Sequence, residues 1–157
     1  MESMHVLSVL VENHAGVLSR VSGLFSRRMY NIDSLSVGVT ENPDVSRMTI
    51  VTHADNSTLE QIKNQLSKLV DVIEITELQK ESAVLREHVL IKVCVNDRAS
   101  VMQICDIFRA RIVDVSDSIL TAELTGAPGK INAFIELMEQ YTVKGLVRTG
   151  LTGLVRG

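Results

Sequence analysis

The sequence contains no tryptophan, and aromatic residues make up only 3% of its 157 positions. Hydrophobic residues make up 45%, so any core must be built mainly from valine, isoleucine and leucine. Sheets that bind RNA commonly stack bases on aromatic side chains of their middle strands. The strand patterns described below predict a sheet, and its two expected central strands, residues 4–11 and 45–53, carry no aromatic residue. This absence disfavours nucleic-acid binding.

The chain also lacks a strong charge of either sign and any long apolar run. Its formal net charge is −3, so no strong basic field would attract nucleic acid or an anionic membrane. No apolar run approaches the roughly 20 residues that span a bilayer. The first residues do not have the basic-then-apolar pattern of a signal peptide. These absences predict a cytoplasmic protein that binds neither nucleic acid nor membrane.

Motifs of catalysis and metal binding are missing as well. The sequence has no GxSxG, HExxH or Walker loop, and its four histidines are not at metal-ligand spacing. The two cysteines, Cys94 and Cys105, are not in a CxxC motif, so buried thiols are expected. A ferredoxin-like acylphosphatase would need an arginine in the first strand-to-helix turn, and residues 13–19 contain no Arg or Lys. We therefore predict a binding or regulatory module with no metal site and no catalytic residues.

The first half of the chain alternates strand-like and helix-like patterns in the order strand, helix, strand, strand, helix, strand. Apolar residues recur at helical spacing in the helices and every second residue in the exposed strands. The predicted strands cover residues 4–11, 34–40, 45–53 and 70–78, and the predicted helices cover 17–28 and 59–69. This order is the split βαβ arrangement of ferredoxin-like folds, with an antiparallel sheet and two helices on one face.

The second half repeats the same order at a spacing of about 80 residues. A polar, charged stretch at 79–87 separates the halves and is predicted to be a linker. The predicted fold is α+β, with two ferredoxin-like βαββαβ domains. The first domain covers residues 1–78, and the second covers residues 88–157.

One turn of the first half, residues 12–20, has the residue types of a small-ligand site. The free N–H groups at the start of a helix suit a carboxylate, and Gly16 lets a ligand approach the backbone. The Asn13 amide can donate and accept hydrogen bonds, as recognition of an amino acid requires. Asparagine before a helix is also a common helix cap, and glycine is common in tight turns for backbone geometry alone. From the spacing of the residues alone, this second interpretation is the more common one.

A family resemblance favours the ligand site. In the first half it rests on six blocks, residues 7–13, 16–21, 23–28, 30–35, 46–50 and 65–72. In the second half it rests on Glu87 and on residues 107–109, 112–115, 129–130 and 148–150. The first half resembles an ACT domain, a module that binds small ligands, usually amino acids, at subunit interfaces. More narrowly, the blocks together are similar to the small regulatory subunit of acetolactate synthase over nearly the whole chain.

The resemblance implies a non-catalytic partner of a large subunit in branched-chain amino acid biosynthesis. The large subunit would hold thiamine diphosphate, magnesium and FAD, and this chain would hold no cofactor. The small subunit would raise the activity of the large one and confer feedback inhibition by valine or a related branched-chain amino acid. It would form a homodimer through its ACT domains, with ligand sites shared between protomers. The implied ligand-binding residues are Asn13, Ala15, Gly16, Val17 and Leu18 of one protomer and Asn31 and Ile32 of the other.

The sequence leaves a second regulatory function open. A free-standing two-domain ACT protein could sense an amino acid and act on another regulatory protein without any large subunit. An isolated ferredoxin-like hydrolase is the enzyme alternative, and the missing catalytic motifs make it the weakest of the three.

Overall fold

The computed structural model describes all 157 residues, which form two compact units. The first unit contains residues 1–84 together with residues 151–157, and the second contains residues 85–150. The strands are β1 (Ser3–Glu12), β2 (Ser34–Val39), β3 (Val45–Ala54), β4 (Val72–Glu77), β5 (Ala83–Cys94), β6 (Arg111–Val115), β7 (Ile119–Gly126), β8 (Thr142–Arg148) and β9 (Thr152–Val155). The helices are α1 (Val17–Arg27), α2 (Asn56–Ser67), α3 (Arg98–Phe108) and α4 (Pro128–Met138). None of these helices has the length and apolar character that crossing a membrane requires.

The first unit is a four-stranded antiparallel sheet in the order β2-β3-β1-β4, with α1 and α2 contributing to its core. Helix α1 buries residues spaced four, three and one apart, which is the spacing of one helical face. These residues are Val17, Val21, Leu24 and Phe25. They pack with β1 and β3, whose Leu7 and Ile50 are fully buried. The central strand β1 ends at the turn that leads into α1, so the sheet core fixes the position of that turn.

The second unit has the same sheet order, β6-β7-β5-β8, with α3 and α4 contributing to its core. The first helix of each unit also ends in the same way. In α1 and α3 the chain reverses at a residue with positive φ, Met29 (58°) and Arg109 (59°). The next N–H then donates to the carbonyl five residues earlier, as in a Schellman motif. The prediction of two ferredoxin-like βαββαβ domains is confirmed.

Two boundaries in the structure differ from the predicted ones. Strand β5 begins at Ala83, inside the stretch 79–87 that we predict to be a linker. Its residues alternate in burial, and the charged Glu87 falls on the buried face, where it pairs with Arg148. Residues 151–157, which we assign to the second domain, lie in the first unit. There Leu151 is 5% exposed, and its carbonyl accepts a hydrogen bond from the Ser36 hydroxyl.

Strand β4 contains an irregularity that its sequence does not show. Ile73 and Ile75 are two residues apart, so a regular strand would place them on one face. The pairing of β4 with β1 shifts in register, because Leu10 faces Glu74 and Val11 faces Val72. Ile75 packs against the core, together with Val72, whereas Ile73 is 54% exposed. The single-face prediction for these two residues is therefore wrong, because the bulge changes which residues face inward.

Candidate functional site

The turn between β1 and α1 leaves the start of the helix open. Gly16 occupies the N-cap position with φ 89° and ψ −12°, a left-handed conformation that glycine adopts without steric cost. The first bond of the helix runs from the Arg20 N–H to the Gly16 carbonyl. No side chain caps the helix. The N–H groups of residues 17–19 therefore have no acceptor within the chain and are available to an anion.

Asn13 does not serve as the helix cap. Its side-chain Nδ2 donates to the Pro43 carbonyl at 2.9 Å, and its backbone N–H donates to the Asp44 carbonyl at 2.8 Å. The interpretation of Asn13 as a cap is thus wrong, because the loop before β3 holds the side chain instead. With Nδ2 committed to Pro43, the Oδ1 atom remains to accept a hydrogen bond from a ligand.

An arginine lies beside the open helix start, although residues 13–19 contain none. Arg20 looks solvent-facing in the sequence, yet its Nε donates to Asp71 Oδ2 at 2.5 Å. The Asp71 side chain is almost fully buried, and this hydrogen bond lowers the pKa of its carboxyl. The same bond raises the pKa of Arg20. A β-carbon added to Gly16 would lie only 2.9 Å from Arg20 Nη1, so the guanidinium lies directly beside the turn.

His14 lies beside the Arg20–Asp71 ion pair, and with Glu12 these residues form one charge cluster. Its Nε2 lies 3.1 Å from Glu12 Oε2 and 3.2 Å from Asp71 Oδ1, and its Nδ1 lies 3.3 Å from the Ala15 carbonyl. About half of the His14 side chain is exposed. All three neighbouring atoms are acceptors, and an imidazole donates from both nitrogens only when it is protonated. The hydrogen bond to Glu12 has the largest effect on His14 and, with the smaller effect of the bond to Ala15, raises its pKa above the usual 6.5.

We expect the His14 ring to titrate above pH 6.5 in an NMR experiment, because the folded chain favours its protonated form. The stabilisation that His14 gives the fold is then fully present below the unfolded pKa. It is lost as the pH rises through the folded pKa. Replacement Glu12→Gln should move the titration midpoint down, and His14→Gln identifies the resonance among those of four histidines. A His14 midpoint at or below 6.5 would contradict this assignment of charge.

The same cluster contains three groups of the kind that bind metal ions. Ligand atoms of Glu12, His14 and Asp71 lie within 4.8 Å of one another. Two features favour an ion-pair network as their role. Asp71 already binds the Arg20 cation, and His14 favours the protonated form, which has no lone pair for a metal. The absence of a metal site stays a prediction from the sequence.

The corresponding turn of the second unit is closed by its own side chain. Asp97 is the N-cap of α3, and its carboxylate accepts from the Ala99 N–H at 3.0 Å and from the Ser100 hydroxyl at 2.7 Å. Both bonds lower the pKa of Asp97, and the bond from the Ser100 hydroxyl has the larger effect. The two domains therefore share a topology but differ at the helix start, because a side chain caps α3 and none caps α1.

Comparisons with known proteins agree for both halves of the chain. A family described as "AHAS small subunit-like ACT domain" matches residues 7–74, and one described as "Small subunit of acetolactate synthase" matches residues 86–157. A probable acetolactate synthase small subunit of Archaeoglobus fulgidus is 50% identical over 155 residues, covering 98% of this chain and 97% of that protein. The chain belongs to the acetolactate synthase small-subunit family.

Two further members of the family show how far the likeness extends. The acetolactate synthase small subunit of Mycolicibacterium smegmatis is 48% identical, with 98% of this chain and 91% of that protein covered. The crystal structure of the small subunit from Thermotoga maritima superposes with a TM-score of 0.92 at 41% identity. That match covers 99% of this chain and 98% of the other. Both domains of the chain therefore have counterparts in that small subunit.

The structure places the predicted ligand residues of this small subunit in two segments. Ala15, like Asn13 and Gly16, is exposed in the turn. Val17 is 3% exposed and packs in the core, so it can offer a ligand only its backbone N–H. Leu18 is 48% exposed and can contact an apolar side chain. The segment before β2 contains the other two predicted residues, Asn31 and Ile32.

The Asn31 segment is hydrogen-bonded to β3 and packs partly against the core. The Thr52 hydroxyl donates to the Asn31 carbonyl at 2.7 Å, and Ile32 packs partly against the core. The Asn31 side-chain Nδ2 donates to Asp33 Oδ1, which leaves the Asn31 Oδ1 as an acceptor. Asn31 thus resembles Asn13. In both residues the amide nitrogen donates a hydrogen bond within the chain, and the amide oxygen remains available as an acceptor.

Proposed function

We propose that this chain is the regulatory subunit of acetolactate synthase that activates the large subunit and makes it sensitive to valine. In this proposal valine binds at the start of α1, at an interface between the ACT domains of two protomers. The observation that carries the proposal is the open helix start at Gly16, in a chain whose family membership implies a large catalytic partner.

The chemistry of the turn matches each part of a valine molecule. The free N–H groups of residues 17–19 suit the carboxylate. The amide oxygens of Asn13 and Asn31 suit the ammonium group, since the nitrogen of each amide is already bonded within the chain. The exposed Leu18 side chain can pack against the branched side chain of the ligand. A carboxylic acid without an ammonium group, or an amino acid without an apolar side chain, would lose one of these contacts.

A second protomer would bring Asn31 to the turn. Strand β2, which begins three residues after Asn31, is an edge strand of the sheet. It exposes Val37 and Val39 to the extent of 48% and 60%, so its edge carries apolar side chains beside unpaired backbone groups. Natural proteins rarely leave such edges uncovered. These features support a homodimer in which Asn31 and Ile32 of one chain face the Gly16 turn of the other.

Regulation then follows from the shared position of the ligand. Valine stabilises whichever arrangement of the two protomers it contacts better, and a bound large subunit responds to that shift. Thiamine diphosphate, magnesium and FAD belong to the large subunit in this proposal. The contribution of this chain is a binding equilibrium, without a chemical step of its own.

The proposal is tested by measuring acetolactate formation by the large subunit of the same organism, with and without this chain, over a valine titration. The expected result is a higher rate when the chain is added and a falling rate as valine increases. A rate that responds to neither the chain nor valine would reject the proposal. The remaining regulatory function would then be that of a free-standing ACT sensor, whose ligand and target differ.

We expect Asn31→Ala to weaken valine binding about 10-fold, because the variant removes one hydrogen-bond acceptor from a charged ammonium group. Asn13→Ala should have a similar effect. Both are measured by calorimetry on the purified chain, with Asn64→Ala as a control, since Asn64 is exposed on α2 of the same unit. An Asn31→Ala variant with unchanged affinity would remove Asn31 from the ligand site.

A further inference from the structure

Arg20 is held in one place by a carboxylate that is itself fixed. Asp71 is 4% exposed and lies in the segment between α2 and β4. The Asp71 carbonyl accepts from the Glu12 N–H at 2.9 Å, which ties this segment to the end of β1. Its side chain accepts from Arg20 Nε on one oxygen and faces His14 on the other. The guanidinium is therefore oriented by buried structure rather than left to move in solvent.

The orientation directs the unused donors of Arg20 toward the helix start. Side chains on a helix lean toward its N-terminus, so a residue four positions after the N-cap lies over it. Nη1 and Nη2 would lie 2.9 Å and 3.8 Å from a β-carbon placed on Gly16. Arg20 donates to Asp71 through Nε. Its two Nη atoms donate to no acceptor within the chain. The open N–H groups of α1 and the free end of the guanidinium thus flank the same space.

We propose that Arg20 is part of the effector site and donates a hydrogen bond from its Nη atoms to the ligand carboxylate, with Asp71 as the residue that positions it. This inference rests on the proposed function and adds a side-chain contact to it. Arginine binds carboxylates well because its planar donors match their geometry. The contact also gives Gly16 a second role, since any side chain at that position would displace the guanidinium.

The same helix supplies an internal comparison. Arg27 is exposed and lies over Gly23, four residues earlier, at 3.3 Å from a β-carbon placed there. It has no carboxylate partner. The N–H groups beside it are in the helix interior and are used in helical hydrogen bonds. Arg27 therefore matches Arg20 in residue type and local geometry but not in access to free N–H groups.

The test is calorimetric titration of the complete chain with valine and with valinamide, which keeps the ammonium group and side chain but lacks the carboxylate. Arg20→Gln should weaken valine binding about 10- to 100-fold, the effect of one charge-assisted hydrogen bond. The same variant should change valinamide affinity far less, because the neutral amide oxygen cannot accept a charge-assisted hydrogen bond. Arg27→Gln should change neither affinity. Asp71→Asn should weaken valine binding by a smaller factor, because Arg20 is still present but less firmly oriented.

Each outcome separates the inference from the function on which it rests. If the unaltered chain does not bind valine, the proposed function fails. If it binds valine and Arg20→Gln binds equally well, only the role of Arg20 is overturned. Equal losses for valine and valinamide in Arg20→Gln would also overturn it, since that pattern indicates structural damage. Circular dichroism of each variant confirms folding, and partial recovery in Arg20→Lys would support a charge contact with the carboxylate.

Discussion

Replacement Gly16→Asp should abolish valine inhibition, with a fall in valine affinity of at least about 100-fold. The new carboxylate would occupy the space of the ligand carboxylate and could itself accept from the free N–H groups of α1. Its β-carbon would also approach Arg20 Nη1 to 2.9 Å, so the guanidinium must move. Inhibition is measured as acetolactate formation by the large subunit over a valine titration, and affinity is measured by calorimetry.

Two control variants separate the causes of that effect. Gly16→Asn has nearly the same size without the charge, and asparagine tolerates positive φ better than most residues. It should therefore show a smaller loss than Gly16→Asp. Gly129→Asp places a carboxylate in the first turn of α4, where a β-carbon meets no atom within 4 Å, and should leave valine binding intact. Unchanged valine sensitivity in folded Gly16→Asp would remove the turn from the site.

Replacement Phe134→Ala should lower the free energy of unfolding of the second unit by about 3–5 kcal/mol. Phe134 is fully buried in the core of that unit, and its ring contacts Phe108 edge to face with centroids 5.5 Å apart. Leu137→Ala on the same helix is the matched control, because Leu137 is 45% exposed and little apolar surface is lost. Chemical denaturation followed by near-ultraviolet absorbance and circular dichroism measures the difference.

The same variant tests whether the second domain is needed for full control of the large subunit. Truncation near Glu81 would be a poor test, because it also removes residues 151–157 of the first unit. Phe134→Ala keeps that segment. We expect valine control of acetolactate formation to be lost once the second unit unfolds, while calorimetry still detects valine binding by the first unit. Full valine inhibition under those conditions would show that the second domain is dispensable.

The order of helices and strands could be predicted because it depends on local patterns. Apolar spacing in α1 and the alternation in β2 and β3 are properties of short windows of sequence. The wrong predictions concern features that depend on contacts between residues far apart in the sequence. The bulge that exposes Ile73 depends on how β4 pairs with β1. The start of β5 is hard to recognise in the sequence because its first alternating residues include the charged Arg86 and Glu87. Glu87 lies on a buried face, where Arg148, 61 residues later, provides its counter-charge.

The same distinction applies to the candidate site. The family resemblance points to the Asn13–Leu18 turn, and the structure shows that its helix start is open. The partners of the turn could not be read from the sequence. Arg20 meets Asp71 from 51 residues away, and Asn13 meets Pro43 from 30 residues away. Neither contact has a local signal, so Arg20 looks like part of a solvated helix face, and Asn13 looks like a cap.

The carboxylate of Asp97 has a consequence for any attempt to engineer a second sensor into this chain. Because Asp97 is tethered one residue before α3, it competes for the helix N–H groups as an intramolecular ligand. Its effective concentration is on the order of millimolar or higher. This value does not depend on the concentration of free amino acids in the cell. An external carboxylate at the start of α3 would therefore have to displace Asp97 from the Ala99 N–H. An amino-acid response there would first require a shorter, neutral residue at position 97.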